Sequence, residues 1–164
     1  MTPQQIALVQ ASFANVAPVS AAAADLFYQR LFELAPDLRS MFAADLSAQK
    51  KKLIDTLAYA VDSLSCPDKL GPELTALGER HADYGTKVEH FTPVGEAMLW
   101  ALQQALNEEF TPAVADAWEA VYAALAQEMI DAMMRKVSMV VQHTQPFPPA
   151  GKSAGNALAL LPAP

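Results

Sequence analysis

Cysteine is nearly absent, with Cys66 alone among 164 residues. A single thiol excludes an internal disulfide and every cysteine-rich zinc site, and it fits a reducing compartment. Histidine is scarce as well, limited to His81, His90 and His143. No HExxH, CxxC, GxGxxG or GxxxxGKS/T pattern occurs, so zinc hydrolysis, dithiol redox chemistry and nucleotide binding lose their usual signatures. Chemistry in such a chain points to a cofactor taken from outside.

Basic charge is also in short supply. Eleven Lys and Arg stand against 18 Asp and Glu, a formal net charge of −7. That surface repels nucleic acid and anionic lipid. The lysine run at residues 50–52 reads as a solvated helix face. No charged residue precedes Asp25, and the alanines at 21–24 imitate a signal-peptidase site. A secretory signal, however, needs a basic start and an unbroken apolar stretch, and Gln4, Gln5, Gln10, Ser12 and Asn15 interrupt this one. Nor does any run reach the ~18 continuous apolar residues of a membrane helix. A cytoplasmic protein with no nucleic-acid or membrane partner is expected.

What is present is apolar and helical. Apolar residues make up 52% of the chain, enough for one domain enclosing a guest molecule. Thr2-Pro3, Thr92-Pro93 and Thr111-Pro112 each offer an N-cap hydroxyl followed by proline in the first helical position. The first pair has Gln5 in capping-box position, and Ile6, Val9, Phe13 and Val16 then share one face. Pro18 breaks this helix; a second, from about Ser20, carries Leu26, Phe27, Tyr28, Leu31 and Leu34 to Pro36. After a short turn to Met41 comes Phe42, and Ser47 can cap a helix with Gln49, Leu53, Leu57 and Ala60 on one stripe. A break spans Cys66-Pro67 to Gly71-Pro72. Beyond it Leu70, Leu74, Leu77 and His81 fall in helical register, with Gly85 as the stop. Two further helices run from Pro93 to about Asn107 and from Pro112 to about Val141. Nothing reads as a strand. Residues 1–142 form the expected domain, and 143–164, rich in proline, read as a flexible tail.

By spacing alone His81 fits two roles, a satisfied core histidine or a metal ligand. An apolar face ending in one imidazole can supply an axial ligand to haem iron, and the Leu77 carbonyl one turn earlier can accept the other ring N–H. Tyr28 has two readings too: a core aromatic bonded to a backbone carbonyl, or a hydroxyl donor in a pocket.

In order and spacing the chain resembles the globins over about residues 3–137. The likeness rests on Leu26-Phe27-Tyr28 with Leu31-Phe32, Pro36 and then Phe42, Gln49 with Leu53, Leu77-Gly78-Glu79-Arg80-His81 with Gly85, Pro93-Val94-Gly95-Glu96, and Ala117-Trp118 with Tyr122. It is closest to bacterial single-domain haemoglobins and the globin half of flavohaemoglobins, with neuroglobin more distant. The resemblance implies an all-α globin fold of about six to eight helices around a haem pocket. It also implies haem b (iron protoporphyrin IX) held by His81 as metal ligand, Phe42 packed on the haem face, and Gln49 opposite the imidazole. Leu53 would crowd a bound gas and Tyr28 would point its hydroxyl into the same space. Arg80 could pair with a propionate or lie free on the surface; His90 could touch the haem edge or sit in a solvated loop.

Two donors in a dry pocket favour a ligand that gains negative charge, so O2 is expected to bind tightly and leave slowly, with CO gaining less. Flavohaemoglobins place a tyrosine and a glutamate beside the proximal histidine; the matching positions here are Phe91 and Met133, neither able to accept a proton, which argues against peroxide cleavage. The expected function is binding of O2, NO and CO, for O2 storage or scavenging or for nitric oxide dioxygenation with a separate NAD(P)H-dependent reductase. Tyr28 and Gln49 would act on the bound gas, in a monomer or homodimer. The alternatives are a globin-fold sensor or interaction module, and a weak peroxidase.

Overall fold

In the computed structural model, which describes residues 1–143, Thr2 caps the first helix as its sequence predicts. Its hydroxyl accepts the Gln5 N–H at 3.2 Å, and Gln5 Oε1 accepts the Thr2 N–H at 2.8 Å. The described residues form six α-helices joined by short 3-10 turns, without a strand. These are α1 (Pro3–Val16), α2 (Ser20–Leu34), α3 (Ser47–Ser63), α4 (Pro67–Asp83), α5 (Phe91–Leu106) and α6 (Pro112–His143). Thr111 caps α6 through the Val114 N–H at 3.4 Å. Residues 144–164, which hold most of the expected tail, lie outside the described part.

Three boundaries differ from the sequence reading. Helix α4 begins at Pro67, before Pro72 rather than after it. A proline this near a helix start removes one N–H and leaves only the Asp68 carbonyl without its partner, and Asp68 is exposed, so water serves it. Helix α5 begins at Phe91, directly after a 3-10 turn at Val88–His90. Thr92 therefore lies inside a helix and caps nothing. At α3 the capping roles are exchanged: Asp45 Oδ1 accepts both the Ser47 N–H at 2.9 Å and the Ser47 hydroxyl at 2.6 Å. A carboxylate is the stronger acceptor at the positive end of a helix.

Packing divides the interior in two. One cluster gathers Val9, Phe13, Val16, Val61, Leu70, Leu74, Leu102, Val114, Trp118 and Val121 from most of the helices. Inside it the Trp118 indole donates to Ser12 Oγ at 2.9 Å, and Ser12 donates on to the Val9 carbonyl at 3.1 Å. The second cluster centres on Phe27, Tyr28, Leu31, Leu38, Ala97 and Ala101, with Phe42 and Leu53 packed against it. Met98 of α5 touches both.

Two glycines decide how closely the helices approach. A Cβ on Gly78 would stand 2.4 Å from the Met129 carbonyl oxygen and 2.9 Å from the Ala132 Cβ, so α4 lies directly on α6. A Cβ on Gly95 would stand 2.5 Å from Tyr122 Cε1, where α6 crosses α5. By contrast, α3 and α4 touch each other little, and α4 leans on α6 instead of α5. By length and composition the stretch Pro3–Leu34 could cross a membrane. In the fold it is two helices separated at Pro18, and Val9, Phe13, Val16, Phe27, Tyr28 and Leu31 from it are core residues.

Candidate haem site

Helix α4 buries Leu70 and Leu74 and brings the half-buried His81 round on the following turns. Its Nδ1 lies 2.8 Å from the Leu77 carbonyl oxygen. A carbonyl only accepts, so the proton sits on Nδ1 and Nε2 keeps its lone pair. Burial pushes the His81 pKa down; the Leu77 bond resists this, and the adjacent Arg80 charge adds to it. The ring is therefore held as the neutral tautomer that a metal requires.

Past His81 the helix ends at Gly85, whose φ of +74° is the left-handed turn that favours glycine. The Gly85 N–H reaches the Ala82 carbonyl at 3.1 Å and the Thr86 N–H the His81 carbonyl at 3.0 Å. This end is also tied to α6, because Lys136 Nζ donates to Asp83 Oδ2 at 2.6 Å and to the Glu79 carbonyl at 3.2 Å. Phe91 flanks the imidazole with ring centres 6.3 Å apart, and Tyr84 stands edge-on at 6.2 Å.

On the Tyr28 side, aromatic rings make a nest. Tyr28 is 3% exposed and meets Phe27 edge-on at 4.9 Å, Phe42 edge-on at 5.7 Å and Phe32 at 5.9 Å. Burial raises the Tyr28 pKa, and the neighbouring Gln49 side chain pulls it partly back. Gln49 itself is exposed, at the surface end of α3, and Leu53 lies one turn further in, against the same cluster.

The fold thus brings Tyr28, Phe42, Gln49 and Leu53 together, and separately joins Leu77, His81 and Phe91. Arg80 is exposed beside His81. His90 is engaged locally: its Nδ1 accepts the Lys87 N–H at 3.2 Å and shapes the turn into α5. Met133 is buried in α6. Sequence reasoning gave no structural role to four contributors, three of which it had named only as marks of the resemblance. Gly78 and Gly95 sit in helix interiors, where a glycine signals close approach of another backbone or ring. Tyr122 donates its hydroxyl to the Phe91 carbonyl at 2.5 Å. Arg39 donates to three successive carbonyls, a role that no motif announces.

Among the described residues no group of three His, Cys, Asp or Glu could hold a bare metal ion. One neutral imidazole with a free lone pair, apolar surroundings and two uncharged donors instead match a large, mostly apolar ring system that carries its own metal and wants one nitrogen. Haem fits this donor set.

An all-helical chain with one neutral imidazole on an otherwise apolar helix face has the donor set of a protein that takes up a cofactor carrying its own metal. The chain belongs to the globin family, whose profile matches residues 25–129. A flavohemoprotein of Bacillus subtilis is 36% identical over 109 residues, 63% of this chain and 27% of the relative. One from Bordetella parapertussis is 28% identical over 133 residues, 79% of this chain and 33% of the relative. The chain spans about a third of the length of these curated relatives. Among solved structures, a bacterial globin from Campylobacter jejuni superposes with a TM-score of 0.75 at 23% identity, covering 84% of this chain and 99% of that one. An engineered carbene transferase from Rhodothermus marinus, provisionally a nitric oxide dioxygenase, superposes with a TM-score of 0.75 at 24% identity, covering 88% and 99%. At these identities the structures speak for the fold: it is the globin fold.

Proposed function

We propose that this globin holds haem b through Nε2 of His81 and binds O2, NO and CO on the side of Tyr28 and Gln49. The observation that carries the reading is the 2.8 Å contact between His81 Nδ1 and the Leu77 carbonyl, which leaves Nε2 as a fixed, neutral donor. When bound, haem would be held by His81 Nε2 and would supply an iron able to bind a small gas.

The chain's own residues do the rest. Leu77 and the Gly85 turn orient His81. Tyr28 stays a protonated phenol because burial opposes its ionisation, and so it donates rather than repels. Gln49 adds an amide donor and is a poor iron ligand, so the gas position stays open. Phe42 and Leu53 pack against the cluster around Tyr28 and shield that donor from water. Each such bond to a ligand that gains negative charge contributes about 1–3 kcal/mol. The use we favour is O2 storage or nitric oxide dioxygenation, in which NO, O2 and one electron become nitrate, the electron coming from a separate NAD(P)H-dependent reductase. A peroxidase reading is weaker, since His81 Nδ1 bonds to a carbonyl instead of a carboxylate.

The test is the absorption spectrum of the purified protein, reduced and exposed to CO, beside His81→Ala. A Soret band shared unchanged by both, or none in the native protein, overturns the reading. Stopped-flow mixing of the oxygenated protein with NO, with nitrate as the product measured, then separates dioxygenation from storage.

A further inference from the structure

Between Phe42 and the start of α3 at Ser47 the chain has no regular structure. Loops of this kind move unless side chains satisfy their carbonyls. Arg39 does so here: Nη1 donates to the Phe42 carbonyl at 3.1 Å and to the Ala43 carbonyl at 2.9 Å, and Nη2 donates to the Ala44 carbonyl at 3.0 Å. Its guanidinium also lies over the Phe32 ring at 5.3 Å, and Phe32 meets Phe42 edge-on at 5.6 Å. The far end of the segment is held independently, by Asp45 on Ser47 and by Lys50 Nζ on Asp25 Oδ1 at 2.6 Å. Asp25 precedes Tyr28 by one turn of α2, and Lys50 follows Gln49.

We infer that Arg39 is a positioning residue for gas binding: its clamp on three carbonyls, with its guanidinium over Phe32, holds the Phe42 ring against Tyr28. The inference rests on the haem reading above. A planar guanidinium suits this task because its fork reaches several acceptors while its face stacks on a ring. A lysine offers one ammonium in place of a planar fork and could not hold all three carbonyls while lying over the ring. Asp37, Asp45 and Glu33 are the nearby acids in sequence, and Arg39 spends these donors on backbone oxygens instead.

The experiment compares Arg39→Ala and Arg39→Lys with the native holoprotein. In Arg39→Ala the CO stretching band of the reduced protein is expected to split or broaden, as Phe42 and the Tyr28 hydroxyl beside it sample several positions, and O2 release should rise about fivefold or more. Arg39→Lys should fall between the two, a graded rescue that lost stability alone would not give. If Arg39→Ala does not fold, the same measurements on Arg39→Lys and Arg39→Gln decide. A native-like band with O2 release within about twofold of the native protein overturns the inference. Amide exchange over residues 43–49 gives a readout free of haem: exchange about tenfold faster in Arg39→Ala supports the clamp, and unchanged exchange overturns it. A native protein that takes up no haem would sink the haem reading by itself and leave this exchange result to judge the clamp.

Discussion

Tyr28 is useful as a donor because of where it is buried. A phenol in water is a good hydrogen-bond donor but spends that capacity on solvent; enclosed by Phe27, Phe32 and Phe42 it has only a ligand and Gln49 to address. Removing either donor should therefore speed O2 release. Tyr28→Phe and Gln49→Leu are each expected to raise the dissociation rate by about tenfold, measured by displacing O2 with CO in a stopped-flow instrument. The double variant should fall short of the product of the two, because the two side chains are neighbours at one site and their effects couple. Additive effects would mean that the two side chains act separately. Both residues were legible in the sequence as types and spacings, but that an exposed Gln49 neighbours a buried Tyr28 was not, since a stripe on a helix does not say which neighbour lies beside it.

At the scale of elements, the approach of α4 to α6 is the feature that places His81. The obstacle to a side chain at Gly78 is the Met129 carbonyl, a backbone atom that cannot rotate away. Gly78→Ala is expected to cost about 2–4 kcal/mol in a denaturant titration and to weaken haem retention, because the helix that bears the imidazole must shift. At Gly95 the obstacle is the Tyr122 ring, which has some freedom. Gly95→Ala should thus cost less, about 1–2 kcal/mol. Equal losses would show that α4 and α6 separate easily. Most helix ends could be drawn from Thr2-Pro3, Thr111-Pro112, Pro18, Pro36 and Gly85, all local signals. The starts of α4 and α5 could not: Thr92-Pro93 lies inside α5, and Pro72 reads as a breaker until the exposure of its unpaired carbonyl neighbour is known.

The whole molecule has a pH window set by its buried rings. Burial raises the pKa of Tyr28 and Tyr122 above the ordinary 10.0. Groups with a raised folded pKa contribute stability that is fully present below the unfolded value and lost as pH rises through the folded one. In the haem-free protein His81 works in the opposite sense: its folded pKa lies below 6.5, so the unfolded chain takes up the proton first and stability falls as pH drops below that value. Thermal melts of the haem-free protein should show a plateau between these limits, with the acid shoulder reduced in His81→Gln and the alkaline one in Tyr122→Phe. A shoulder unmoved by its variant would assign the loss to other groups.

The sequence by itself determined the helical class, the ends of most helices, the stripe that carries His81 and the presence of an oxygen donor at 28. All of these depend on residues within a few positions of one another. Only the tertiary structure decided that Gly78 meets a carbonyl 51 residues away, that Tyr122 bonds to Phe91, and that Arg39 serves a loop instead of solvent. Contacts of that kind are set by how whole helices pack, and periodicity along one helix carries no information about the face it will meet.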